Sequence, residues 1–221
     1  MSYYRVTFSN LRDLDIRPIP IIRVAEDTRP PRRAVQALRE GQVIVYPTDT
    51  VYGLGCRIDD ERAVRRIFTI KNRPPTDPLP VLLADAEQVA EYAREVPERV
   101  RRLMARFWPG PLTLILRRSA RVPPVVTGGA DTVALRVPNH PIPRALVREA
   151  GVPIVGTSAN SHGMPAPVTA QLAVFDLGDR VDLVLDGGRT PLGRESTVVD
   201  LTGPEPRIIR EGAIPATELG L

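Results

Sequence analysis

Cysteine, histidine and long apolar runs are scarce in this chain, and each shortage excludes a class of protein. Cys56 is the only cysteine among the 221 residues, which excludes an internal disulfide. Because His140 and His162 are the only histidines, the ligands for a zinc site are also lacking. No apolar run approaches the roughly 18 residues that span a bilayer, and residues 1–17 lack the apolar stretch of a signal peptide. We therefore expect a cytoplasmic protein without a membrane partner.

Lysine is almost missing as well. Of the 30 basic residues 29 are arginine, and Lys71 is the remaining one. Arginine cannot replace a compact, deprotonatable ammonium where size or point charge matters. Lys71 is therefore a candidate functional residue, with chance as the alternative explanation. The formal charge of +4 and the pI near 9.7 favour anionic partners such as nucleotides or RNA.

Several common nucleotide and hydrolase motifs are absent. The sequence has no Gly-x-x-x-x-Gly-Lys-Ser/Thr, no Gly-x-Gly-x-x-Gly after a predicted strand, and no local signature of a Ser-His-Asp nucleophile. Arginine, one lysine and hydroxyl groups remain in the polar loops. Such a set suits anion binding, positioning and charge stabilisation better than covalent catalysis.

The apolar pattern predicts an α/β protein, because short buried strands alternate with helices. The 24 prolines lie between apolar runs and indicate rigid turns. We predict an N-terminal arm over residues 1–25 and a single domain over residues 26–221. The predicted strands are 3–8, 20–24, 43–46, 81–83, 112–116, 133–137, 153–155, 181–185, 196–201 and 207–209. The predicted helices run from about 30 to 41, from the cap Asp59 to near Asn72, and over 85–94, 97–107 and 141–150.

Four polar loops are the candidate chemical sites, since loops at strand ends usually carry the chemistry of such sheets. They are 47–55, 71–75, 156–160, and the segment from 187 to 212. The first and third place hydroxyls beside glycines, which let a ligand approach the backbone closely. An ordinary polar turn is the alternative interpretation of both.

Lys71 and Arg73 form the second candidate. In an extended segment residues two apart point the same way, so both cations could bind one anion. Pro74 and Pro75 stiffen the segment and reduce the entropy lost on binding. In the alternative, Lys71 only interacts favourably with the C-terminal end of its own helix.

Arg136 lies within an apolar predicted strand. A charge at such a position costs free energy unless it is paired, so we expect a carboxylate partner. That partner is either a structural Asp or Glu or the carboxylate of a ligand.

Taken in order, these segments resemble the YrdC/TsaC family of threonylcarbamoyl-AMP synthases. The matching motifs are Pro-Thr-Asp-Thr-Val-Tyr-Gly-Leu-Gly, Lys-x-Arg-Pro, Arg-Val-Pro-x-His-Pro, Thr-Ser-Ala-Asn and Glu-Ser-Thr-Val-Val-Asp. The resemblance covers roughly residues 30–212 and is closest to the short, single-domain form. It implies a twisted mixed α/β sheet flanked by helices that enclose a basic concave cavity.

The resemblance also implies an activity and its partners. The family's nucleotidyltransferases join L-threonine, bicarbonate and ATP, with Mg²⁺, into threonylcarbamoyl-adenylate and pyrophosphate. Other proteins then transfer the threonylcarbamoyl group to adenosine 37 of tRNA. These downstream transfer proteins are expected partners, and tRNA itself is a further candidate.

Residue roles follow from the same resemblance. Threonine would be held by Thr50, Arg136, Gly156 and Ser196. ATP would be held by Lys71, Arg73, Asp77, Thr132, Ser158, Asn160 and Arg210, with Lys71 and Arg73 as the catalytic cations. At three positions the chain departs from relatives: Asp77 often corresponds to Asn, Leu82 to a threonine-contacting His, and Ala166 to Ser.

Three other interpretations remain. One is a module that binds double-stranded RNA or tRNA without catalysis, although 5% aromatic residues and no RNA-binding motif give base stacking little support. Another is a catalytically silent paralogue, against which the intact Lys71-x-Arg73 and Ser158-x-Asn160 pairs argue. The third is the related carbamoyl-transfer enzyme of hydrogenase maturation, whose additional acylphosphatase and zinc-finger segments are absent from this sequence.

Overall fold

The computed structural model describes residues 19–25 and 29–221. These residues form eleven strands, seven α-helices and two short 3-10 helices. The strands are β1 (Ile21–Arg23), β2 (Ile44–Tyr46), β3 (Gly53–Gly55), β4 (Val81–Leu82), β5 (Leu112–Arg117), β6 (Thr132–Arg136), β7 (Ile154–Val155), β8 (Thr157–Ser158), β9 (Leu183–Asp186), β10 (Thr197–Asp200) and β11 (Arg207–Arg210). The α-helices are α1 (Arg32–Arg39), α2 (Glu61–Lys71), α3 (Val89–Tyr92), α4 (Glu98–Phe107), α5 (Pro141–Ala150), α6 (Ala170–Leu177) and α7 (Ala216–Leu219). The predicted mixed α/β class is confirmed.

The strands divide into two mixed sheets rather than the one that was predicted. Five form a sheet in the order β1-β9-β2-β3-β8, and six form a second in the order β11-β10-β5-β6-β4-β7. The strand predicted over 20–24 is present as β1, which pairs in parallel with β9. The division of the chain at residue 25 into arm and domain stays a prediction.

Gly156 is the point at which the chain passes between the sheets. It separates β7, at the edge of the six-stranded sheet, from β8, at the edge of the five-stranded sheet. Its N–H donates to the carbonyl of Pro80 at 2.8 Å. A Cβ built on Gly156 would lie 2.4 Å from Cγ of Leu82. A side chain at this position therefore requires Leu82 to move.

Helix α2 shows how local sequence sets the bounds of an element. Asp60, rather than the predicted Asp59, caps it: the Asp60 side chain accepts a hydrogen bond from the N–H of Ala63 at 2.9 Å. The predicted apolar positions 63, 64, 67 and 70 are all buried. Asn72 ends the helix in the left-handed region, with φ at 51°.

Some elements differ from the prediction. The helix predicted over 85–94 is a 3-10 turn (Ala86–Gln88) followed by the single turn of α3. Helix α6 was missed because its residues are mostly apolar, which gives no one-sided pattern. The short helix α7 and strands β3 and β8 were also not predicted. The strand predicted over 3–8 lies outside the described residues.

Two apolar clusters hold these elements together. On β2, Val45 joins the larger cluster, which includes residues of α2 and α4, whereas Ile44 and Tyr46 join the smaller one beneath α1 and α5. Both faces of this strand are therefore buried, which explains its unbroken apolar run. Among the described residues, none of the helices is both long and apolar enough to cross a membrane.

Candidate active site

A cavity of about 270 Å³ lies between the six-stranded sheet and the loops around β3 and β8. Alternate residues of β5 and β6 line it, because side chains two apart along a strand share a face. The predicted site residues in its lining are Thr50, Arg73, Arg136, Gly156, Ser158, Ser196 and Arg210. The fold thus brings segments far apart in the chain to one cavity, while their binding roles stay predictions.

Arg136 is held by three protein acceptors. Its NH2 donates to Asp49 Oδ1 at 2.5 Å, its NH1 to Thr50 Oγ1 at 2.9 Å, and its Nε to the carbonyl of Gly110 at 3.0 Å. The expected carboxylate partner is therefore a structural aspartate. A guanidinium has five N–H donors, so two remain beyond these three bonds. Burial lowers the pKa of Arg136, and the negative charge of Asp49 opposes that shift.

The hydroxyl of Thr50 has a defined orientation. Thr48 Oγ1 donates its single proton to the carbonyl of Val51 at 2.6 Å. It must therefore act as the acceptor in its 3.0 Å contact with Thr50 Oγ1. Thr50 Oγ1 donates to Thr48 and accepts from Arg136. This buried chain of hydrogen bonds fixes the side chains of Thr50 and Arg136 at the cavity wall.

Lys71 is 2% exposed, and its ammonium group contacts the Thr-Ser-Ala-Asn segment. Nζ donates to the carbonyls of Ser158 and Asn160, at 2.5 Å each. The alternative that Lys71 only interacts with its own helix end does not account for these two bonds. Desolvation, and next the positive charge of Arg73, lower the pKa of Lys71 to about 8. Lys71 itself is not among the described residues that line the cavity. It lies behind the Thr-Ser-Ala-Asn segment, whose Ser158 does line the cavity, and holds that segment in position.

Arg73 reaches the cavity by a different route from the one predicted. Because Asn72 is left-handed, residues 71–73 are not extended, and that part of the prediction was wrong. The NH2 of Arg73 donates to the carbonyl of Pro78 at 2.8 Å. Its Nε is buried and has no hydrogen-bond partner within the part of the chain that the structure describes. An unpaired buried donor beside a cavity is consistent with an anionic ligand.

Arg210 and Ser196 form the opposite wall. Arg210 NH1 donates to Glu195 Oε1 at 2.7 Å, and its Nε and NH2 donate to the carbonyl of Ser196 at 3.2 and 2.9 Å. Ser196 Oγ lies 2.8 Å from Thr113 Oγ1. The guanidinium and the two hydroxyls are thereby held in fixed positions along this wall.

Four predicted ATP-site residues, Lys71, Asp77, Thr132 and Asn160, are not part of the cavity lining as described. The Asn160 Nδ2 donates to the carbonyls of Ser161 and Met164. Thr132 lies at the start of β6, and Asp77 opposes the lowered pKa of Arg73 through its charge. Ala166 lines a separate hollow of about 170 Å³ that also includes Asn160.

Sequence reasoning missed three residues that shape the cavity. Asp49 pairs with Arg136, Glu195 pairs with Arg210, and Thr113 contacts Ser196. A carboxylate partner was expected for Arg136, but nothing in the sequence identified Asp49 as that partner or paired Glu195 with Arg210. The contact of Thr113 with Ser196 could be recognised only once the structure placed β5 beside β10.

A match to a protein-family model identifies the family to which this fold belongs. A family model for Sua5, YciO and YrdC proteins, described as "Telomere recombination", matches residues 36–212. The chain belongs to this family. The predicted resemblance to YrdC/TsaC proteins is therefore confirmed, and the Sua5/YciO/YrdC domain includes every residue of the cavity lining.

Relatives within the Sua5/YciO/YrdC family are similar over most of this chain. The threonylcarbamoyl-AMP synthase of Pyrococcus abyssi is 46% identical over 188 residues, which make up 85% of this chain and 55% of that protein. The corresponding Bacillus subtilis protein is 43% identical over 188 residues, 85% of this chain and 54% of its own length. The crystal structure of P. abyssi Sua5 complexed with L-threonine matches with a TM-score of 0.85 and 43% identity, covering 92% of this chain and 60% of that one. The chain thus spans about half the length of these two curated relatives.

Proposed function

We propose that this chain is an L-threonylcarbamoyladenylate synthase, which forms threonylcarbamoyl-AMP and pyrophosphate from L-threonine, bicarbonate and ATP. The observation that carries the proposal is that one cavity brings Arg136 and Thr50 together with Arg73, Ser158 and Arg210. The names of the P. abyssi and B. subtilis relatives support the same activity. The product would serve the modification of adenosine 37 in tRNA.

The amino acid would bind at the Arg136 end of the cavity. The N–H groups of Arg136 that are not bonded to protein suit a carboxylate, and Asp49 and Thr50 fix the guanidinium for that contact. Gly156 and Ser196 border the same space. The structure of the P. abyssi relative with L-threonine supports threonine as the ligand.

The triphosphate of ATP would bind between Arg73, Ser158 and Arg210. Arg73 and Arg210 both line the cavity. Lys71 would act by holding the carbonyls of Ser158 and Asn160, so that this segment presents its hydroxyl and N–H groups to the phosphates. We expect Asp77, Thr132 and Asn160 to contact outer parts of the nucleotide.

The chemical step needs positioning and charge stabilisation rather than a protein nucleophile. The amine of threonine combines with bicarbonate to give a carbamate and water. A carbamate oxygen then attacks the α-phosphorus, so that one O–P bond forms as the bond to pyrophosphate breaks. The cations Arg73 and Arg210 would stabilise the negative charge that develops on the phosphates.

Mg²⁺ would enter with ATP. Among the described residues no group of three or more His, Cys, Asp or Glu side chains could hold a metal by itself. Of the described residues that line the cavity, Glu195 is the one with a carboxylate. One carboxylate together with phosphate oxygens and water fits the usual Mg²⁺–nucleotide site. When bound there, Mg²⁺ supplies charge neutralisation to the phosphates.

Pyrophosphate release in the presence of ATP, Mg²⁺, bicarbonate and each amino acid in turn tests the proposal. We expect release that depends on threonine and bicarbonate. The Arg210→Ala variant should lose most of it, whereas Arg207→Ala should keep it, because Arg207 lies on the same strand but outside the cavity and pairs with Asp200.

Two results would contradict the proposal. One is retention of double-stranded RNA or tRNA with no pyrophosphate release, which would support a binding module. The other is an inactive wild-type chain that still binds threonine and ATP, as expected of a silent paralogue. Cytoplasmic location, downstream transfer proteins and tRNA as a direct partner stay predictions.

A further inference from the structure

Leu82 lies beside Arg136 at the proposed amino-acid end of the cavity. The two residues are register partners on the neighbouring parallel strands β4 and β6. Both line the cavity, and Leu82 is only 2% exposed. A ligand carboxylate on Arg136 therefore places the rest of that ligand within reach of the Leu82 side chain.

Gly156 faces Leu82 at close range. A Cβ at residue 156 would lie 2.4, 2.7 and 3.0 Å from Cγ, Cδ2 and Cδ1 of Leu82. These distances mean that the isobutyl group fills the space that a side chain at residue 156 would need. Leu82 and Gly156 are thus complementary, because the leucine side chain occupies the space that the missing side chain of the glycine leaves.

The wall that the two residues form is apolar and fixed. Leu82 packs in the buried cluster that contains Ile154 and Tyr46, so it cannot swing away freely. An amino acid whose carboxylate binds Arg136 would place the substituents of its β-carbon next to this wall. Such a wall favours a methyl group and disfavours side chains that extend further, because forcing extra methylene groups into a well-packed site is destabilising.

We propose that Leu82, seated against Gly156, sets the size of the amino acid side chain that the cavity accepts. The inference rests on the proposed function and deepens it: the substrate class becomes amino acids with a small β-substituent such as the methyl of threonine. The pair acts together, so changing either residue alone alters selectivity and changing both restores part of it.

Kinetics with L-threonine, L-serine and L-isoleucine test this inference. Leu82→Ala should shift the ratio of kcat/KM from threonine towards isoleucine by about 10-fold or more, a typical effect of adding space in an apolar pocket. Gly156→Ala should raise the KM for threonine, since its methyl group displaces Leu82. In the double variant the new methyl occupies part of the vacated space, so the ratio should return towards the wild-type value and the effects should not add.

Leu83→Ala is the matched control. Leu83 is also fully buried, but its side chain is in the other apolar cluster and outside the cavity lining. It should lower the free energy of unfolding without changing the threonine-to-isoleucine ratio. The conservative Leu82→Met variant, which keeps the volume, should preserve both stability and selectivity.

Two readouts separate this inference from the proposed function. Binding of threonine and isoleucine, measured calorimetrically without ATP, shows how well the apolar wall accommodates each side chain, independently of the chemical step. A wild-type chain without threonine-dependent pyrophosphate release would contradict the proposed function. An active wild type with an unchanged amino acid ratio in Leu82→Ala, or strictly additive effects in the double variant, would overturn only the assignment of Leu82 and Gly156.

Discussion

Asp49 Oδ1 lies 2.5 Å from Arg136 NH2, and the two side chains are 5% and 8% exposed. Asp49 Oδ2 is buried without a hydrogen-bond partner in the described part of the chain. The aspartate therefore compensates the charge of Arg136 and holds its orientation towards the cavity. A buried ion pair of this kind is sensitive to the loss of one partner, because the other charge is left desolvated and unpaired.

Asp49→Ala should lower the free energy of unfolding by about 3–5 kcal/mol, the usual cost of breaking a buried pair. Denaturant unfolding measures this change. The matched control is Arg65→Ala, since Arg65 and Glu61 also approach within 2.5 Å but are 63% and 62% exposed. That variant should lose less than about 1 kcal/mol. Similar losses in both variants would mean that burial of the Asp49–Arg136 pair does not matter.

Lys71→Ala should reduce pyrophosphate release by about 100-fold, the order of loss when a missing positioning group lets the site shift by about 1 Å. The carbonyls of Ser158 and Asn160 would lose their donor, and the segment would no longer be fixed. Lys71→Arg should not rescue activity, because the larger planar guanidinium does not fit so buried a position. Steady-state kinetics and nucleotide binding measure the effect, and near-normal turnover in either variant would argue against it.

The lowered pKa of Lys71 predicts a pH dependence of stability. The pKa is about 8 in the folded chain against an ordinary value of 10.5. The unfolded chain therefore binds more protons between these values, so the Lys71 contribution to the free energy of unfolding rises with pH across this window. Unfolding of wild type and Lys71→Met should be compared from pH 7 to pH 11, the span around that window. A difference between the two proteins that stays constant with pH would contradict the prediction.

Arg73→Ala should weaken ATP binding while leaving the fold nearly as stable as before. The protein loses one hydrogen bond to Pro78, worth roughly 1 kcal/mol. It also loses a cation beside the proposed triphosphate, which should raise the KM for ATP by about 10-fold or more. The charge of Arg73 lowers the pKa of Lys71, so this pKa should be higher in Arg73→Ala. The pH range over which Lys71 makes the free energy of unfolding rise should therefore begin at a higher pH. An unchanged KM for ATP would show that Arg73 does not bind the nucleotide.

Local elements of the fold could be predicted where side-chain pattern and backbone restrictions coincide. Helix α2 has one apolar face and ends at the left-handed Asn72 before two prolines, so its bounds follow from nearby residues. Helix α6 lacks a polar face, and no local pattern separates it from a buried strand. The pairing of β7 with β4 and of β8 with β3 joins segments that are distant in the chain. Spacing alone could not assign these pairs.

The sequence by itself determined the family, because arginine, hydroxyl and glycine residues recur in a specific order of motifs. It also determined that Lys71 is the single ammonium side chain. Only the tertiary structure decided what each group contacts: Lys71 binds two carbonyls, Arg136 binds Asp49, and Leu82 packs on Gly156. The reason is physical. Residue type fixes charge and hydrogen-bonding capacity, whereas the packing of the two sheets fixes distance and burial, and these decide which partner each group takes.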